Sequence, residues 1–193
     1  MGYTAIFGGT FNPFHIGHYE MLKALDESSI IDEILVIPAK IPPHKDVVFS
    51  VSDADRIEMC KIVCEHFKKA NICLLEFQRE GKSYTIDTVL QLMEKFPDKN
   101  FGVVCGGDLL AGLQNWYKFP ELSKYVAFLT FRRCGVDDFD FQINRLRSLG
   151  AKFEIFDNQI KEVSSTEFRT SLDADLLPQE IGNYIKSRGL YDE

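Results

Sequence analysis

No apolar run in the 193-residue chain approaches the ~18 residues of a membrane span, so a transmembrane helix is excluded. Positive charge is not in excess either: 22 Lys and Arg stand against 29 Asp and Glu, a formal net charge of −7. That balance argues against a nucleic-acid binder, which needs a basic stripe. It leaves room for a small phosphorylated ligand, which needs only a local cationic pocket. The five cysteines, Cys60, Cys64, Cys73, Cys105 and Cys134, contain no CxxC pair, so redox and zinc readings are poor. Cys60 and Cys64 fall on an apolar stripe with Ile57, Val63 and Phe67, and the thiols read as inert core groups in a reducing cytoplasm. The opening Met1–Phe7 has no basic region and no cleavage site, and does not read as a secretory signal. With 13 Gly, 7 Pro and 26% charged residues, neither disorder nor a fibre is indicated. No repeat or Gly/Ser linker divides the chain, and 45% apolar residues suffice for the core of one domain over residues 1–193.

What is present alternates. Strands are predicted at Tyr3–Phe7, Glu33–Ile37, Ile72–Phe77, Phe101–Cys105, Val126–Phe131 and Lys152–Phe156. Helices are predicted at about Ile16–Ser28, from Ser52 or Asp53 to Phe67, at Thr85–Phe96, near Leu109–Leu113 and Glu121–Lys124, at Asp138–Leu149, and from about Thr166 and Pro178. Most strands are continuous apolar runs. That pattern implies an α/β fold, with an open, mostly parallel, doubly wound sheet covered on both faces. In such sheets ligands bind outside the carboxyl ends of the strands, at the switch point.

The first strand–helix junction carries the chemistry: Gly8-Gly9-Thr10-Phe11-Asn12-Pro13-Phe14-His15-Ile16-Gly17-His18. Two glycines after a strand allow positive φ and a close ligand. The helix that follows offers unpaired N–H groups to an anion. His15 and His18, three apart, can face one point, and a polyphosphate there favours the cationic imidazole. Gly17 between them leaves room for a flat ring or a ribose. The pattern is neither GxGxxG nor GxxxxGK[ST]. Near the other end, Ser164 with Glu167 reads as a capping box. Arg169 leans back over the same turn, toward any anion held by the N–H groups and the Ser165 and Thr166 hydroxyls.

Gly9-Thr10-Phe11 through His15-Ile16-Gly17-His18 resembles the signature of the nucleotidyltransferase superfamily with the T/HxGH motif, and Val163–Arg169 resembles its ISSTxIR segment. Pro42-Pro43-His44-Lys45, Ser83–Thr88, Gly106–Leu110 and Asn115-Trp116-Tyr117 are, in that order and spacing, similar to bacterial nicotinate-nucleotide adenylyltransferases. Asn12 stands where many members carry Asp, and Gly107 and Cys134 where Ala and Pro are commoner.

The resemblance implies a Rossmann-like fold, with the C-terminal helices from about residue 164 completing the phosphate site. The implied reaction joins ATP and nicotinate mononucleotide to give deamido-NAD and pyrophosphate. His15, His18, Lys45 and Arg169 are the implied catalytic groups. ATP is implied to lie on Gly8, Gly9, Thr10, Phe11, Gly17, Ser165 and Thr166, with its adenosine end at Gly106, Asp108 and Arg133. Thr85, Trp116 and Tyr117 are assigned to the mononucleotide, Thr85 for its carboxylate and Trp116 for its ring. Mg²⁺ is expected to arrive mainly on the ATP phosphates, with no resident metal site. No nucleic acid or membrane partner is expected, and a homo-oligomer is left open. Two alternatives stay open: a different phosphate acceptor, such as nicotinamide mononucleotide, phosphopantetheine or a sugar or alcohol phosphate, and a non-catalytic ATP- or NAD-sensing module.

Overall fold

The computed structural model describes residues 2–42, 51–132 and 138–191. Its strands are β1 (Tyr3–Gly9), β2 (Ile31–Pro38), β3 (Ala70–Ile72), β4 (Asn100–Cys105), β5 (Ala127–Phe131) and β6 (Lys152–Phe156). Its α-helices are α1 (Ile16–Glu27), α2 (Asp53–Cys64), α3 (Thr85–Lys95), α4 (Phe119–Tyr125), α5 (Phe139–Ser148), α6 (Ser165–Ser171) and α7 (Gln179–Arg188). The sheet runs in the order β3-β2-β1-β4-β5-β6, with every neighbouring pair parallel. The order reverses between β1 and β4, the crevice where an open sheet of this kind takes its ligand.

The continuous apolar strands have a simple cause. Side chains alternate across the pleat, and both faces are covered. Ala5, Phe7, Ile34, Val36, Val104 and Leu129 enter one core with α1, α2, α6 and α7. Ile6, Leu35, Ile37, Val103 and Phe128 enter the other with α3, α4 and α5. The last two helices return to the face of the first two, and Phe168, Ile181 and Ile185 pack in the same core as Leu22, Leu25 and Met59.

One predicted strand is displaced. Instead of Ile72–Phe77, β3 covers Ala70–Ile72, and Leu75–Gln78 is a 3₁₀ turn. The Cys73 N–H still bonds the Val36 carbonyl, so the next ladder position on that side of β2 is Pro38. Proline has no N–H to give, and pairing stops there. The predicted helix to Phe67 ends at Cys64, followed by single turn bonds from His66 and Phe67. On α2 the deep positions are Arg56, Met59, Cys60 and Val63, with Ile57 at the edge of the stripe. Ser52 caps α2 through the Asp55 N–H, while the Asp55 carboxylate takes the Ser52 hydroxyl rather than its backbone. No described helix is long and apolar enough to cross a membrane.

Candidate active site

The first junction keeps its glycines inside the sheet. Gly8 and Gly9 are the last residues of β1, and Gly9 pairs with Pro38. Neither adopts positive φ; that falls to Phe11, at φ 48°. Gly9 is small for another reason: a Cβ there would lie 2.8 Å from the Phe11 ring. Phe11 itself is buried, stacks on Phe14 at 4.9 Å and sets its ring against His18 at 5.0 Å.

His15 is the N-cap of α1. Its Nδ1 accepts from the His18 N–H at 3.3 Å, and the His18 Nδ1 accepts from the His15 N–H at 3.3 Å. This is a capping box built from two imidazoles. The rings stack 3.5 Å apart, at 19° to each other. Because each Nδ1 accepts, each neutral ring carries its proton on Nε2.

The C-terminal signature docks on this loop. Within α6, Ser164 and Glu167 form the predicted capping box. The Ser165 hydroxyl donates to the Pro13 carbonyl at 3.0 Å. Arg169 does lean back: one guanidinium nitrogen donates to the Thr166 hydroxyl at 3.1 Å, and the other to the Asn12 carbonyl at 2.6 Å. Arg169, from the other end of the chain, therefore holds the loop that leads into His15 and His18. Gly17 serves that docking. A Cβ on it would lie 2.9 Å from the Lys161 carbonyl, so the missing side chain makes room for the backbone that leads into α6.

Beside the loop, at the ends of β1, β2 and β4, lies a cavity of about 280 Å³. Gly8, Gly9 and Thr10 form part of its wall, and Thr85, Trp116 and Tyr117 another part, with Ile6 and Val103 among its apolar lining. Thr85 is the first residue of α3, and no described side chain caps that helix. Its opening N–H groups are thus available to an anion. Trp116 is half-buried against the second core, and Tyr117 is exposed and packs on Tyr84 at 4.4 Å. Gly106 and Asp108 follow β4, Gly106 buried and Asp108 exposed, and neither lines the cavity. Lys45 and Arg133 lie outside the described residues. Among the described residues, no group of three or more His, Cys, Asp or Glu gathers as a metal site.

Two residues, Arg56 and Glu76, escaped the sequence reading, and Asn12 was marked only as a departure from the family. Arg56 is fully buried beneath the loop, donating to the Thr10 carbonyl at 2.7 Å and pairing with Asp53 at 2.6 Å. Its signal was position: four residues before Cys60, on the apolar face. Asn12 is buried, and its side-chain oxygen accepts from the Tyr191 hydroxyl at 2.7 Å, tying the loop to the chain beyond α7. Burial pushes the Tyr191 hydroxyl well above its ordinary range, so it stays a donor. Glu76, on the 3₁₀ turn, lines the cavity. No pattern in the sequence marked it, because that segment read as strand.

A model of the cytidylyltransferase-like family matches residues 6–171. A protein of Halalkalibacterium halodurans named "Probable nicotinate-nucleotide adenylyltransferase" is 37% identical over 96% of this chain and 89% of its own length. One of the same name from Gloeobacter violaceus is 35% identical over 97% of this chain and 95% of its own. Among solved structures, the nicotinic acid mononucleotide adenylyltransferase of Plasmodium falciparum complexed with NaAD superposes with a TM-score of 0.79. It covers 100% of this chain and 98% of that one at 20% identity, a likeness of fold.

Proposed function

The chain belongs to the cytidylyltransferase-like family, and on that premise we propose that it joins ATP and nicotinate mononucleotide to give deamido-NAD and pyrophosphate. The observation that carries the reading is the cavity at the strand ends, walled by the Gly8–Thr10 turn and by Thr85 and Trp116. A flat ring with a carboxylate suits it. The α3 N–H groups receive the carboxylate, and the Trp116 indole offers its face to the ring.

The mononucleotide phosphate attacks the α-phosphorus of ATP. A new phosphorus–oxygen bond forms as the bond to the β-phosphate oxygen breaks, and pyrophosphate departs with that electron pair. A phosphate monoester, with a second pKa of about 6, is already largely dianionic at neutral pH, so little general-base help is needed. The obstacle is charge, and the chain answers with positioning and hydrogen-bond donors. His15 and His18 present Nε2–H groups, held in place by their mutual caps. Arg169, fixed to the Asn12 carbonyl and the Thr166 hydroxyl, adds a guanidinium. Buried Arg56 adds positive charge beneath the loop without reaching its surface. The donor set suits anions, and Mg²⁺ carried in on ATP would supply further neutralisation of phosphate charge. By resemblance, Lys45 joins the catalytic groups and Arg133 the adenosine end.

The test is pyrophosphate release with ATP and competing acceptors. Nicotinate mononucleotide is expected to outcompete its amide, which leaves the α3 N–H groups without an anion. Preferred use of the amide, or of phosphopantetheine, refutes the acceptor. ATP binding with no pyrophosphate from any acceptor favours a sensing module.

A further inference from the structure

Glu76 is 8% exposed and lines the cavity described above. Its Oε1 accepts from the Thr88 hydroxyl at 2.7 Å, and that hydroxyl accepts in turn from Arg79 at 3.1 Å. Oε2 is buried and has no hydrogen-bond partner among the described residues. Glu76 is also the only charged side chain among the described residues that line the cavity. An unmatched carboxylate oxygen costs stability against apolar walls such as Ile6, Ile37 and Val103. That cost is recovered when a ligand brings positive charge.

We propose that Glu76 is a specificity-determining residue, whose carboxylate selects an acceptor with a positively charged pyridinium ring over one with a neutral ring. The inference rests on the function proposed above and deepens it. The substrate's own carboxylate and the Glu76 carboxylate are both anions, and they can share one cavity for two reasons. The α3 N–H groups offset the first, and the ring cation offsets the second. Trp116 adds the attraction of an aromatic face for a cation. In the 1,4-dihydro form the ring has lost its charge and both attractions with it.

The experiment is titration calorimetry of nicotinate mononucleotide and its 1,4-dihydro form against the wild-type protein and Glu76→Gln. Glutamine keeps the shape of the site. The Thr88 hydroxyl, 3.4 Å from the Tyr84 carbonyl, can turn to that acceptor and receive the new amide. The wild type is expected to bind the oxidised form about tenfold more tightly, and Glu76→Gln to bring the two within about twofold. ATP affinity within about twofold of wild type checks that the variant is folded. A ratio near one in the wild type overturns the proposal, whatever the variant does. So does a variant that weakens both forms equally, which assigns Oε2 to a hydroxyl common to both. Failure of the underlying reading looks different: the binding ratio persists, while the wild type releases no pyrophosphate with nicotinate mononucleotide and ATP.

Discussion

Replacing Gly17 by alanine places a methyl carbon 2.9 Å from the Lys161 carbonyl oxygen and 3.3 Å from Cε1 and Nδ1 of His15. Ordinary carbon–oxygen contact is about 3.3–3.6 Å, so something must move by roughly 0.5 Å. Neither neighbour yields easily. Lys161 belongs to the backbone leading into α6, and its N–H is held by the Glu20 carboxylate. The His15 ring is locked in the double cap with His18. Overpacking of this kind costs about 1–3 kcal/mol, against a helix-propensity gain of at most about 1 kcal/mol for Gly→Ala. A net loss of about 1–2 kcal/mol lowers Tm by about 3–6 °C in a chain of this length. The displacement also separates the histidines from Arg169. At roughly a hundredfold per ångström of misplacement, kcat falls about tenfold. Thermal melts and steady-state pyrophosphate release measure both effects. If Gly17→Ala melts no lower and turns over normally, the close approach is no constraint. If only the KM for ATP rises, with Tm unchanged, Gly17 serves ligand clearance rather than docking.

Removing Arg169, as Ala, should lower kcat about 10²–10³-fold, and Lys should restore only part of it because the fork to Asn12 and Thr166 is lost; full rescue by Lys refutes the clamp. Trp116→Ala should raise the KM for the mononucleotide about tenfold while leaving that for ATP within about twofold; equal rises would mean general damage to the fold. The Ser52 hydroxyl, with the Tyr184 hydroxyl and the Arg188 guanidinium, holds Asp55 below the usual carboxylate range. A depressed folded pKa contributes stability above the unfolded value, about 4, and that stability is lost as pH falls through the folded value. Asp55→Asn should therefore flatten the acid limb of Tm against pH, and parallel acid limbs in variant and wild type would count against the network.

The sheet was legible because covered parallel strands leave an unambiguous trace of unbroken apolar runs. Five of six predicted strands match observed ones with each end within two residues. The exception, β3, failed on an interaction between strands: Pro38 on one ends the ladder of another, and no local reading of Ile72–Phe77 contains that fact. The first turn of α6 was legible because capping and leaning are local. Ser164, Glu167 and Arg169 settle their geometry within one turn. Arg56 and Glu76 were hidden for the opposite reason. Their roles depend on what packs above them, and each interrupts an otherwise apolar segment as an apparent error. Gly9 and Gly17 were marked correctly as special, but the positive φ allowed at Gly9 is not adopted, and at both the chain itself approaches where a Cβ would stand. The sequence shows that a side chain is missing, but not whether a ligand or the protein takes its place.

The sixth strand ends at Phe156, yet the guanidinium arrives at residue 169 and the hydroxyl that latches Asn12 at residue 191. During synthesis, a ribosome that has made the whole sheet, with His15 and His18, has not yet made the two groups that hold the Asn12 loop from the far end of the chain. A product stopped near residue 160 would lack Phe168, Ile181 and Ile185, and with them part of the core they share with Leu22, Leu25 and Met59.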